Sequence, residues 1–390
     1  MRISTFYGLG CLRSIVVLAF FIPIMVSANT LKIGMSTALE GPAKGLGTNV
    51  KLGIEAYFNQ INKSGGINGH SLELVALDDG YEPDKAANNM RKLIDEEEVL
   101  AVIGNVGTPT AVVTVPIANE NKTLLFGAVT GAGLLRKTPA DRYVINYRAS
   151  YGQETAAMVK GLLQAGIKPE EIALFTQNDG YGDAGYNGAI SALKASGFKD
   201  TNTIAHGRYK RNTTNVEEGL GLILDADVEP KAVIIVGAYA PVAKFITLAK
   251  EELPDAKYLN VSFVGSIPLL NALGDAAEGV VVTQVVPHFE SDLAGVQQFQ
   301  KHLSVFDSSA SPSFLSLEGY SIAQILVKAL KNADEWNRES VVNAFQSLGD
   351  FDLGYNAPLS LSTNRHQASD TVWPTRISDG KYVAFEWSKL

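Results

Sequence analysis

From Leu31 onward, short continuous apolar stretches alternate with amphipathic ones, and this rhythm constrains the chain more than any other feature. Residues 31–35, 71–77, 99–106 and 124–129 read as strands. Helical periodicity fills 49–64, 83–97 and 109–119, with Gly65-Gly66 stopping the first helix and Pro83 suited to the first turn of the second. Strands that are apolar on both faces and separated by helices form a parallel sheet covered on both sides. The rhythm restarts after Ser150, with strands at 172–176, 203–208, 232–236, 259–264 and 279–287. Helices are expected at 154–166, 185–196, 215–226, 241–252, 296–306, 314–333 and 340–347. A β-like tail from Leu359 ends in a hairpin turning at Asp379-Gly380. The predicted class is α/β, with two doubly wound lobes. In such sheets a ligand sits beyond the carboxyl ends of the strands, which here means the cleft between lobes.

The chain begins differently. Arg2 and Arg13 are the only charges before Lys32, and the apolar run 15–26 is followed by Val26-Ser27-Ala28. The run is short of the roughly 20 residues that span a bilayer. The pattern predicts a secretory signal peptide over 1–28, cleaved after Ala28; the alternative is a retained anchor. Cys11, the single cysteine of the sequence, lies inside it and precedes the apolar run, so it does not suit lipidation. The mature chain is then cysteine-free, soluble and periplasmic, with neither a disulfide nor a multi-cysteine metal site.

Composition narrows the function further. With 41 acidic against 33 basic residues the chain lacks the charge balance of a nucleic-acid binder. The five histidines, at 70, 206, 288, 302 and 366, form no local metal motif. There is no G-x-S-x-G elbow, H-E-x-x-H pair, G-K-[ST] loop or G-x-G-x-x-G fingerprint. No cofactor, metal or catalytic residue is indicated.

Small and hydroxyl residues gather at the strand ends instead. In Gly104-Asn105-Val106-Gly107-Thr108-Pro109, Thr108 is expected at the N-cap and Pro109 at the first helical position. Free backbone N–H groups and the helix dipole there make a seat for a carboxylate, unless Thr108 only caps its own helix. Phe126-Gly127-Ala128-Val129-Thr130 repeats the pattern after the next strand. The second lobe offers Tyr181 and Tyr239, each in a loop beyond a strand and each with an apolar face and a hydroxyl. Arg148, Tyr151 and Glu154 fall where the first lobe ends, where an Arg–Glu pair packing the hinge is the favoured reading. Glu318 lies early in an apolar helix, where an acid complements the dipole.

Taken in order, Leu39-Glu40-Gly41-Pro42, Gly65-Gly66-Ile67-Asn68-Gly69, Asp78-Asp79, Val102-Ile103-Gly104, Asp179-Gly180-Tyr181-Gly182 and Glu278-Gly279-Val280 carry a resemblance. From about Leu31 to its end, the chain resembles the leucine/isoleucine/valine-type periplasmic solute-binding proteins of ABC importers. That resemblance implies two Rossmann-like lobes joined by three crossings, near Ser150, Val286 and Pro358. It places lobe 1 at 29–150 and 287–357, and lobe 2 at 151–286 and 358–390. It also implies ligand-carboxylate contacts at Thr108, Ala128 and Thr130, and aromatic contacts at Tyr181 and Tyr239. Arg148, Tyr151, Asp179, Ser266 and Glu318 form a second set of candidates. In relatives that bind amino acids an acid follows a second-lobe strand and meets the ammonium. Here that place falls at or beside Ile267 in Phe263-Val264-Gly265-Ser266-Ile267, with Asp179 or Glu318 as substitutes. Leu46 stands where an aromatic residue is usual. The expected function is delivery of a small carboxylate-bearing ligand, an amino acid or a related acid or amide, to an ABC permease. A free sensor docking on a membrane kinase or chemoreceptor is the alternative, and a secreted hydrolase a remote one.

Overall fold

A computed structural model of the chain describes residues 1–5 and 30–390. Apart from its first five residues, the expected signal peptide lies outside the described residues. Among the described residues, no helix is long and apolar enough to cross a membrane.

The first lobe begins with β1 (Thr30–Thr37), α1 (Lys44–Lys63), β2 (Ser71–Asp78), α2 (Pro83–Asp95), β3 (Ala101–Ile103), α3 (Thr108–Glu120), β4 (Leu124–Phe126) and β5 (Val144–Ile145). The second follows as α4 (Tyr151–Gln164), β6 (Ile172–Gln177), α5 (Gly180–Ala195), β7 (His206–Tyr209) and α6 (Glu217–Leu224). It continues through β8 (Ala232–Val236), α7 (Tyr239–Glu252), β9 (Lys257–Asn260), α8 (Ser266–Leu273) and β10 (Val281–Gln284). The chain then returns to the first lobe with α9 (Ala294–Phe306), α10 (Phe314–Asn332) and α11 (Arg338–Gln346). A small pair, β11 (Gly349–Phe351) and β12 (Leu359–Leu361), precedes the closing hairpin of β13 (Trp373–Ser378) and β14 (Lys381–Ala384).

The first sheet is parallel throughout, in the order β2-β1-β3-β4-β5. The second runs β14-β13-β10-β9-β8-β6-β7, parallel except where β13 and β14 join antiparallel. Asp379 and Gly380, at φ 50° and 69°, make the expected tight turn between them. Ala368 and Ser369 donate their N–H groups to Asn146 and Tyr147 at 2.9 and 2.8 Å, which ties that segment to the end of the first lobe.

One helix contact sets the first lobe's compactness. α10 is buried almost all round, and α1 lies across it with glycine on both sides of the crossing. A Cβ added at Gly53 would fall 1.8 Å from the Ser316 carbonyl oxygen, and one at Gly319 would fall 2.1 Å from that of Val50. Backbone cannot move aside as a flexible side-chain tip can, so Gly53→Ala should cost about 1–3 kcal/mol. Urea unfolding should show a lower midpoint at an unchanged slope.

Candidate functional site

The carboxyl ends of both parallel sheets meet at one cleft, and the lobes touch across it. α3 opens behind Gly107, whose φ of 103° suits glycine, and carries no side-chain cap. Thr108 is therefore the first helical residue, one place later than expected, and its hydroxyl is not spent on its own helix. Instead Thr108 Oγ1 lies 2.6 Å from Thr130 Oγ1, both residues being fully buried. Thr130 Oγ1 also accepts from the Ala132 N–H at 3.2 Å, and Ala128 is buried just before it. The two hydroxyls thus share one point beside the amino end of α3.

The second lobe faces this point with aromatic rings. Tyr181 is fully buried and sits in the first turn of α5 rather than in a loop, because that helix begins at Gly180. Its ring packs on Tyr151 (5.2 Å between centroids) and Phe263 (4.6 Å), while its hydroxyl donates to the Gly237 carbonyl at 3.3 Å. A Cβ added at Gly180 would stand 3.8 Å from Thr108 Cγ2, a measure of how closely the lobes approach. Tyr239 likewise begins a helix, α7, but is only half-buried. It lies at the rim against Gly45 and Gly265, beside Leu46, and joins none of the ring contacts made by Tyr181.

Tyr81, which the sequence reading did not single out, completes the wall from the first lobe. It is fully buried at φ 64°, and its ring crosses Gly107 so closely that a Cβ there would fall 2.1 Å from Tyr81 Cε2. Its hydroxyl accepts from Gln177 Nε2 of the second lobe at 3.3 Å, and its ring lies 5.9 Å from Phe263. The available signal was a tyrosine after Asp78-Asp79-Gly80 at a strand end, the same pattern that pointed to Tyr181. Outside this wall a polar clasp bridges the lobes: Arg211 reaches Glu82 at 2.8 Å, and Asn212 reaches Glu82 at 2.7 Å and the Gly80 carbonyl at 3.3 Å. Two cavities flank the cleft, one of about 670 Å³ beside Gly131, Arg136 and Asp183, the other of about 360 Å³ beside Pro42, Tyr209 and Asn212. A larger hollow of about 820 Å³ lies at the opposite end of the first sheet, around Lys32, Trp336 and Arg338, remote from these residues.

The hinge charges pair differently from expectation. Arg148 is bonded to Glu318, not to Glu154: Nε and Nη2 donate to the two carboxylate oxygens at 2.8 and 3.0 Å, fully buried. Burial works against the Arg148 charge, but Glu318, Glu154 and Tyr151 hold its pKa above the ordinary arginine value. Arg136 donates to the Arg148 carbonyl at 2.9 Å; burial, aided by Arg148, lowers the Arg136 pKa to about 10. Both Glu318 oxygens are thus bonded to the same guanidinium. Asp179 caps α5 through the Tyr181 N–H at 3.0 Å and accepts from Gln177 at 2.8 Å and Arg211 at 3.4 Å. Ser266 turns to Gln284, 2.9 Å away, so it serves the second-lobe interior. Among the described residues, no group of three or more His, Cys, Asp or Glu could hold a metal ion.

A two-lobed α/β receptor, closed over a seam of hydroxyls and rings at its strand ends, is the class this geometry defines. The chain matches the family described as periplasmic binding protein over residues 30–381, and it belongs to that family. A possible leucine/isoleucine/valine-binding protein from Rhodopirellula baltica shares 49% identity and a TM-score of 0.91, covering 94% of this chain and 98% of that one. A substrate-binding periplasmic protein from Ralstonia solanacearum superposes at TM-score 0.82 with 25% identity, over 91% and 100% of the two chains. The leucine-, isoleucine-, valine-, threonine- and alanine-binding protein of Pseudomonas aeruginosa is 26% identical over 85% of this chain and 86% of its own. These are binding proteins of a periplasmic family, and this chain is a binding protein, not an enzyme.

Two measurements test the site's internal chemistry. Glu318→Ala would strand a buried guanidinium, and should cost about 3–5 kcal/mol in chemical denaturation. Burial pushes the Asp79 pKa up to about 6, against its bonds from Ser36 Oγ (2.7 Å) and the Tyr81 N–H (2.8 Å). A carboxyl with a raised pKa holds its proton more tightly in the folded state. Its stabilising share is full below the ordinary aspartate value and fades as pH rises through about 6. Asp79→Asn keeps an acceptor for Tyr81, and should remove a stability loss that the wild-type protein shows between pH 4 and pH 7.

Proposed function

We propose that this chain is a periplasmic receptor that traps a small carboxylate-bearing ligand between its lobes and delivers it to an ABC importer. One observation carries the reading. The Thr108–Thr130 hydroxyl pair is buried at the amino end of α3, directly against the second lobe, with Thr108 released from capping. Donors gathered at a helix amino end favour an anion, and hydroxyls without a lysine suit a carboxylate better than a polyphosphate. The names of its relatives support an amino acid or a near analogue as the ligand: the Pseudomonas protein is named for aliphatic amino acids, and the Rhodopirellula protein as a possible leucine/isoleucine/valine binder. Residues 1–28 serve as the export signal in this reading, and the lobes rotate about the segments near Ser150, Val286 and Ser369 to release the ligand. The permease is the partner, reached by the closed form.

A thermal-shift screen of the mature protein against amino acids, aromatic acids, amides and purines tests this directly. A true ligand at 100 times its Kd should add about 2.7 kcal/mol of stability. For the ligand so found, Thr108→Val should weaken binding by about 1.5–3 kcal/mol in calorimetry, the usual loss for a hydrogen bond to a charged group. Unchanged affinity would place the carboxylate elsewhere.

A further inference from the structure

A further hollow, of about 510 Å³, lies between the segments 135–140 and 363–367, and Asn146 lines it too. None of Thr108, Thr130, Tyr81 or Tyr181 borders it. The chain as a whole carries a net charge of −8, yet this hollow is lined by three cationic residues, Arg136, Lys137 and Arg365, and by no acidic one. Acids stand behind two of the cations: Lys137 lies 2.7 Å from Asp141, and Arg365 lies 2.7 Å from Asp370. The bonds of Arg136 are of another kind. It donates to Gln367 Oε1 at 2.5 Å, to the Thr130 and Ala132 carbonyls at 3.2 and 3.0 Å, and to the Arg148 carbonyl at 2.9 Å. All four acceptors are neutral. A guanidinium has five N–H donors, so one is left over, and no acceptor in contact cancels the charge.

Asn146 supplies the second signal. It is fully buried, and its Nδ2 donates to the Leu135 carbonyl at 2.9 Å and the His366 carbonyl at 3.1 Å, which fixes the orientation of the amide. Its Oδ1 is buried without a hydrogen-bond partner. An interior acceptor left unbonded costs free energy, and a ligand group that donates to it recovers that cost. His366 is spent inside the fold: Nδ1 faces the Val144 and Asp141 carbonyls at 3.0 and 3.1 Å, and Nε2 faces the Gln346 amide at 3.0 Å. The hollow thus combines cationic donors with one lone acceptor. Sulfate satisfies only the donors, whereas an oxyanion that keeps a proton satisfies both. Hydrogen phosphate is a small anion of that kind, and the volume also admits a phosphate ester with a free hydroxyl.

We propose that this hollow is a second binding site, outside the cleft, for a phosphate-type oxyanion. Arg136, Lys137 and Arg365 take its charge, and Asn146 Oδ1 accepts a hydrogen bond from its hydroxyl. The assignment stands independently of what the cleft binds.

Calorimetry on the mature protein at pH 7, in a buffer free of both anions, compares inorganic phosphate, glycerol 3-phosphate and sulfate. Phosphate should bind saturably and about tenfold more tightly than sulfate, the scale of one hydrogen bond to a buried acceptor. Lys137→Gln and Arg365→Gln, both at partly exposed positions, should each weaken phosphate binding by about tenfold, the scale of a charge-assisted bond. Thermal unfolding of each variant without anion checks that it folds. Tighter binding of glycerol 3-phosphate than of phosphate identifies an ester as the occupant, and equal or weaker binding identifies the free ion; both uphold the site. Absence of saturable phosphate binding overturns it. So does phosphate binding that neither variant weakens, which puts the anion elsewhere. Sulfate bound as tightly as phosphate removes Asn146 from the site and overturns the assignment on wild-type protein alone.

Discussion

The buried pairing of Arg148 with Glu318 is the contact on which the arrangement of the cleft depends. Arg148 stands where the chain leaves the first lobe, and Glu318 lies on the most deeply buried helix of that lobe. The bidentate geometry fixes the guanidinium plane, and Arg136 fixes the carbonyl of the same residue, so the backbone entering α4 has little freedom. Within three residues the chain reaches the Ser150 cap, and from there the first turn of α4 sets Tyr151 and Glu154. The pair is costly to desolvate and contributes little net stability. Its value is positional.

The contact between the lobes, by contrast, is mostly apolar. The Arg211–Glu82 bridge is partly exposed, and such pairs are worth about 0–1 kcal/mol. The lobes meet through Tyr81, Tyr181, Phe263 and Leu46, all of which are fully buried. Two glycines make this fit. Gly107 leaves room for the Tyr81 ring, and Gly265 leaves room for Leu46, whose Cδ2 would lie 2.6 Å from an added Cβ. Leu46, on the first lobe, is thereby packed against the opposite lobe. The clasp adds polar contacts outside this apolar seam.

Much of the architecture was legible because strands buried on both faces and separated by helices admit few arrangements. Helix beginnings were less legible. α1 starts at Lys44 and α5 at Gly180, earlier than periodicity alone suggests, because glycine-rich first turns carry almost no apolar signal. Tyr181 and Tyr239 consequently begin helices instead of decorating loops. Partner choice among charges was not legible at all. Arg148 and Glu154 are near neighbours in sequence, yet Arg148 bonds to a residue far along the chain, which only the return of α10 to the first lobe explains. Tyr81 shows the same limit, since its role depends on Gly107 and Gln177, which meet it only in three dimensions.

The crossing of α1 and α10 has a consequence for how the molecule comes into being. α10 emerges from the ribosome only after the entire second sheet apart from its terminal hairpin, yet it fills the space against the first long helix. The opening third of the polypeptide cannot reach its final packing until α10 has been made, since the mate of α1 does not exist before then. Contacts this distant in sequence slow folding. A chain built in this order keeps its first long helix without its main partner through most of its own synthesis.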